Sequence, residues 1–228
     1  MNKSNRKKLS KFAVIIGLVC ILAGVSLIGF VVKGYFDNRA DNNELVKQLN
    51  LGTVNVQDSQ DAIAQELLRR VDFDQLTSLN SEICGWVYIP DTHINYPLLK
   101  ASNNTFYLKH NYKKEKSSAG AVFLDANDDA NSSAHWIFGH HMRDNSMFAD
   151  IARYRSEKFS QSHMTAYVAL KSEQSPVVYV LDFEKAQSLK GTDTLPKLDD
   201  NKFAFATCGY NFDDERVVAY FQVIDQAQ

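Results

Sequence analysis

Eight short runs rich in β-branched and aromatic residues follow one another between Ile83 and Ile224, each bounded by Gly, Pro, Asn, Asp or Ser. They are ICGWVYI at 83–89, INYPLL at 94–99, AVFL at 121–124, HWIFG at 135–139, TAYVAL at 165–170, PVVYVLDF at 176–183, FAFATC at 203–208 and RVVAYFQVI at 216–224. Strand-length segments at this spacing predict one all-β domain, a barrel or a sandwich. The exception is SMFADIARYRS at 146–156, which follows the candidate caps Asp144 and Asn145 and brings Met147, Ile151 and Tyr154 together at helical spacing. Residues 58–71, DSQDAIAQELLRRV, also begin with capping residues, and Ile63, Leu67 and Val71 lie four apart, predicting a helix that packs on the β domain.

A second feature lies ahead of this domain. Residues 12–32, FAVIIGLVCILAGVSLIGFVV, carry no charged side chain. As a helix they would span about 30 Å, the thickness of a bilayer's hydrocarbon core. A cleaved secretory signal has a shorter apolar region, about 7–15 residues, ending in small residues. Here the run ends in FVVKGYF, so an uncleaved signal anchor is expected. Lys3, Arg6, Lys7, Lys8 and Lys11 precede it without an acid, which predicts a cytoplasmic N-terminus and an exterior location for everything after Lys33. From Gly34 to about Asn55 the chain is polar, without a sustained period apart from an apolar trace at Leu45, Val46 and Leu49, and reads as a stalk. The expected division is a basic cytoplasmic terminus at 1–11, a transmembrane signal anchor at 12–32, an extracellular stalk and N-terminal helix at 33–75, and the β domain at 76–228.

Removing the five leading cations from 25 Lys+Arg leaves twenty against 27 Asp+Glu, a formal charge of −7 on the exterior part. Phosphate binding needs clustered cations, so nucleic acid is excluded as a partner. Cys84 and Cys208 are the cysteines outside the apolar span, too few for a disulfide framework. No internal repeat, low-complexity tract or phosphate-binding glycine loop occurs, and no cofactor is implied.

Period two along FAFATC puts Phe203, Phe205 and Thr207 on one face and Ala204, Ala206 and Cys208 on the other. The large face can fill a core. The small face would form a shallow floor, suited to an extended peptide, leading to a thiol. GYNFDDE separates Cys208 from Arg216, and an antiparallel hairpin would set the two side by side. His140 and His141 lie just past a strand end in IFGHHMRDNSMF. Acyl transfer at a thiol needs a thiolate and a proton donor for the leaving amine, and an imidazole in hydrogen-bond reach can serve. A guanidinium could stabilise the oxyanion and hold the substrate carbonyl.

At these residues the chain resembles the sortases, the cysteine transpeptidases of Gram-positive cell surfaces, and class B in particular. The resemblance rests on WVYIPDTHINYPLL, NNTFYLKHNY, AGAVFLDAN, IFGHHMRDNSMF and ATCGYNFDDERVV in the family's order, covering roughly residues 76 to 226. It implies an eight-stranded sortase β-barrel preceded by an N-terminal helix and a transmembrane anchor. It also implies a cysteine that cleaves a sorting-signal peptide of secreted surface proteins through a thioester, then passes the acyl group to an amine of a peptidoglycan precursor or a pilin lysine. By position the nucleophile carries over to Cys208, the histidine after Gly to His140 and the arginine to Arg216; His141 receives no role. Thr207, Ala206 and Ala204 would line the substrate groove. The family's Thr-Leu-x-Thr-Cys is replaced by Ala204-Phe205-Ala206-Thr207-Cys208, and EKAQSLKGTDTLPKLDDNK at 184–202 stands where class B members carry a long helical insertion.

Other readings of the same residues remain. The fold could support a hydrolytic cysteine endopeptidase, or a non-catalytic peptide-binding module using the same groove. Cys84 reads as structural, and a Cys84–Cys208 disulfide would silence the nucleophile. His135, His140 and His141 could bind zinc with Cys208 or Asp144, although adjacent histidines on a strand point to opposite faces; no metal is expected. His93, His110 and His163 read as solvated, the acidic trio Asp213, Asp214 and Glu215 as a solvated loop, and Arg216 as an alternative partner for that trio.

Overall fold

A computed structural model describes residues 3–51, 59–128, 132–172, 175–209 and 214–228; for 3–14, 27, 30–32, 34–36 and 38 it describes the helical backbone alone. The chain runs α1 (Lys3–Gln48), α2 (Gln60–Arg70), α3 (Phe73–Leu79), β1 (Ile83–Tyr88), β2 (Asn95–Leu99), β3 (Val122–Leu124) and β4 (His135–Phe138). A 3₁₀ helix (Ala149–Arg155) and α4 (Glu157–Ser162) follow, then β5 (Thr165–Leu170), β6 (Val177–Lys190), β7 (Lys202–Cys208) and β8 (Glu215–Ala227). The strands close into a barrel in the order β1-β2-β3-β4-β7-β8-β6-β5. Closure leaves no unpaired sheet edge. The β2–β3 and β4–β7 pairs are parallel and the others antiparallel.

Period two sorts the apolar residues into two cores. Val87, Leu98, Val122, Ile137, Val168, Leu181, Phe203, Phe205 and Phe221 fill the barrel interior. Trp86, Tyr88, Tyr167, Val178 and Val180 point the other way and meet the helices before the barrel. On the helical side Ile63, Leu67 and Val71 form the expected stripe of α2, whose cap Ser59 accepts the Ala62 N–H at 3.2 Å. Each such aliphatic side chain, fully buried, contributes about 1.5–3 kcal/mol relative to exposure. The short α3 escaped the sequence reading; Asp72 caps it by accepting the Asp74 and Gln75 N–H groups.

Three features differ from expectation. The segment read as a stalk is helical through Gln48, because Leu45, Leu49 and Leu51 bury themselves in the core with α2; its expected end at 52–55 lies outside the described residues. The helix expected at 146–156 is a 3₁₀ helix that begins only at Ala149. Asp144 accepts the Ser146 N–H and hydroxyl, and Met147 takes φ 56°, so a turn replaces the first helical residues. Met147, Ile151 and Tyr154 are nevertheless all buried. Third, β6 continues seven residues past its expected end, pairing with β8 to Lys190↔Glu215. Among the described residues no helix is long and apolar enough to cross a membrane; of the expected span, side chains 12–14, 27 and 30–32 lie outside them.

Candidate active site

β7 sits between β4, with which it runs parallel, and β8, with which it runs antiparallel. Its last residue, Cys208, is exposed and pairs directly with Arg216 of β8. On the other side the ladder ends at Phe138↔Ala206, and the Gly139 N–H donates to the Ala206 carbonyl at 3.1 Å. Beyond that bond the chain leaves the ladder, and it carries His140 away from β4 at the rim where Cys208 and Arg216 pair.

The His140 ring is aimed by its surroundings. Its Nε2 lies 2.8 Å from the Leu108 carbonyl oxygen, which can only accept, so Nε2 carries the proton and Nδ1 is the basic nitrogen of the neutral ring. Gly120 makes this approach possible: it has φ +60°, and a Cβ there would lie 2.4 Å from the Tyr107 carbonyl oxygen and 3.0 Å from His140 Cδ2. The Phe148 N–H donates to the His140 carbonyl at 2.8 Å, folding the loop back on itself. His141, to which the sequence assigned nothing, donates from Nδ1 to the Cys208 carbonyl at 2.9 Å and pairs with Met147. The only signal for it in the sequence was its place beside His140.

Arg216 is half-buried between β7 and β6, opposite Cys208 on one side and Leu189 on the other, and Nη2 donates to the Gly191 carbonyl at 3.4 Å. The acidic neighbour Glu215 is no solvated loop residue: its side chain is 0% exposed and accepts from Arg155 Nη1 at 2.8 Å. Asp213 lies outside the described residues, and Asp214 is exposed.

The expected groove floor needs correction. Ala204 and Ala206 do share the face of Cys208, but they are 0% and 1% exposed, covered by Trp136, Val218 and Tyr220 with Leu195 and Leu198 packed against them. Small side chains on this face let the segment between β6 and β7 seat its leucines there. Thr207 turns inward with Phe203 and Phe205, and its hydroxyl is buried with no partner among the described residues. None of the three forms an open floor.

The remaining cysteines and histidines sort themselves. Cys84 and Cys208 are both free. Burial pushes the Cys84 thiol up to about 12, which keeps it protonated and inert. His135 is buried at the far end of β4, its Nδ1 3.4 Å from Asp128 Oδ2. Among the described residues no group of three His, Cys, Asp or Glu could hold a metal ion. The three histidines read as solvated are each held: His93 on the buried Asp150 at 2.9 Å, His110 stacked 4.1 Å from Phe106, and His163 stacked 4.0 Å from Phe159.

A closed eight-stranded barrel with an exposed cysteine ending one strand and an arginine opposite it shares its fold with solved sortase B structures. No family model matches the chain. Two curated relatives are both named Sortase B: that of Listeria monocytogenes is 42% identical over 101 residues (42% of this chain, 40% of that protein), and that of Staphylococcus aureus is 31% identical over 96 residues (41% and 39%). The chain thus spans about two fifths of the length of the curated relatives it matches. Among solved structures, Bacillus anthracis sortase B in complex with AAEK1 superposes with TM-score 0.67 at 24% identity, over 86% of this chain and 100% of that one. The Staphylococcus aureus sortase B–substrate complex gives 0.65 at 17% identity, over 83% and 97%. By fold, and by local sequence over about two fifths of its length, the chain is similar to sortases of class B.

Proposed function

We propose that this protein is a membrane-anchored cysteine transpeptidase that cleaves the sorting signal of secreted surface proteins and joins the new carboxyl end to an amine. The observation that carries the reading is the pairing of Cys208 with Arg216 at the end of β7, at the rim where the His140 loop leaves β4. The thiolate of Cys208 attacks the scissile carbonyl carbon, and the C=O electron pair becomes an oxyanion beside the Arg216 guanidinium. His140, having taken the thiol proton on Nδ1, returns it to the leaving amine as the C–N bond breaks, leaving a thioester. An acceptor amine then attacks that thioester and loses its proton to His140. Collapse forms the new amide and releases the Cys208 thiolate, which regains the proton.

The acceptor is proposed to be an amine of a peptidoglycan precursor or a pilin lysine. A groove lined by Thr207, Ala206 and Ala204 would open only if the Leu195–Leu198 segment lifted from the alanines. The uncharged run at 12–32, with five cations ahead of it, supports a signal anchor that leaves residues 1–11 in the cytoplasm. On that reading 33–75 links the anchor to the catalytic domain, 76–228, on the outer surface. Incubating the full chain with sorting peptides and candidate amines should give a thioester at Cys208 and amine-ligated products by mass, and none with Cys208→Ala. An intact fold that yields neither cleavage nor thioester would refute the reading, and cleavage without ligation would make the protein an endopeptidase.

A further inference from the structure

Two separate arms of the chain build the rim. One is the 139–148 loop with His140, which runs directly into the 3₁₀ helix Ala149–Arg155; the other is the β7–β8 pair with Cys208 and Arg216. Glu215, the first residue of β8, has a fully buried side chain where the arms meet. Its Oε1 accepts from Arg155 Nη1, at the end of that 3₁₀ helix, at 2.8 Å, and from the Ser188 hydroxyl of β6 at 2.6 Å. Arg155 is itself steadied by donating from Nε to the Ala152 carbonyl at 3.2 Å. Directly after the nucleophile, the Gly209 N–H donates to the Glu215 carbonyl at 2.8 Å, one step beyond the Cys208↔Arg216 pair. A Cβ on Gly209 would fall 2.0 Å from Glu215 Oε2, so the carboxylate fills the space a side chain at 209 would need.

A buried ion pair contributes little net stability, because desolvating both charges offsets their attraction. What this pair does is join the two arms, and misplacing a reacting group by about 1 Å costs on the order of 100-fold in rate. We infer that Glu215, partnered by Arg155, is a positioning residue: it fastens the strand pair bearing Cys208 and Arg216 to the helix that continues the His140 loop. This inference rests on the function proposed above.

The test uses the full chain carrying Glu215→Gln, Arg155→Met, Arg155→Lys and the Glu215→Gln/Arg155→Met double change. Three readouts are taken: the pH profile of Cys208 alkylation by iodoacetamide, kcat and KM on a sorting peptide, and the melting temperature. Glu215→Gln and Arg155→Met should each change the alkylation profile and lower kcat about 10–100-fold with KM nearly unchanged. Arg155→Lys keeps the charge and should restore most of the rate. The double variant leaves no unpaired buried charge and should regain the wild-type melting temperature but not kcat. An alkylation profile unchanged in Glu215→Gln, or kcat returning together with melting temperature in the double variant, overturns the role. Alkylation needs no sorting peptide, so it decides the role of Glu215 even if the wild type forms no thioester, a result that would strike the proposed function alone.

Discussion

Replacing Gly120 by alanine probes the aim of His140 without replacing any group proposed to react. The methyl would sit 2.4 Å from the Tyr107 carbonyl oxygen. An ordinary C···O contact is about 3.3 Å, so the backbone at 107–108 must retreat by about 0.9 Å. That carbonyl accepts the Ala121 N–H at 2.9 Å, and the next one, of Leu108, accepts from His140 Nε2 at 2.8 Å. Holding alanine at φ +60° adds about 1–3 kcal/mol of backbone strain. Melting of the full chain should therefore fall by several degrees. If the Leu108 carbonyl moves with its neighbour, the imidazole loses its aim, and a shift near 1 Å corresponds to about 100-fold in kcat. The assay is steady-state cleavage of a sorting peptide well below the variant's melting temperature, with folded protein quantified by circular dichroism. A folded Gly120→Ala protein with kcat within about threefold of wild type would refute the argument that this glycine sets the histidine.

Two further outcomes are expected. Because burial pushes the Cys84 thiol up to about 12, iodoacetamide at pH 8 should label the exposed Cys208 in the native protein and reach Cys84 only after denaturation; equal labelling of both by peptide mapping would contradict the raised Cys84 thiol. Burial alone would raise the Asp150 carboxyl, but hydrogen bonds from the His93 N–H, the Arg153 guanidinium and the His93 ring outweigh it and hold the carboxyl below its usual range. A depressed carboxyl stabilises the fold above its unfolded value and loses that contribution as pH falls through the lowered folded value. Asp150→Asn should thus melt lower than wild type at pH 7, and the gap should narrow in titrations below about pH 4; a gap independent of pH would exclude the charge as its source.

The strands were legible because each carries its own alternation, and FAFATC announced both its inward phenylalanines and the outward thiol. The continuation of β6 through EKAQSLK was not, since its residues are mostly polar and only pairing with β8 keeps them extended. Likewise the parity of Ala204 and Ala206 could be read, but not what covers them: Leu195 and Leu198 arrive from a segment with no periodic pattern. Glu215 sits in an acidic run that looks solvated, and its partner Arg155 lies 60 residues upstream, a distance over which no local pattern speaks. The 34–48 helix was missed for a related reason: three leucines near its end dock it, with little amphipathic repeat along the rest.

The strand carrying Arg216, β8, lies between β7 and β6. Until it zips into that slot, the barrel is an open sheet with two raw edges, and the sulfur at 208 has no cationic neighbour across the gap. Under the proposed function, a chain clipped before Glu215 would keep both the histidine loop and the thiol and yet remain unarmed. On that reading competence depends on the thirteen-residue β8, whose docking seals the barrel.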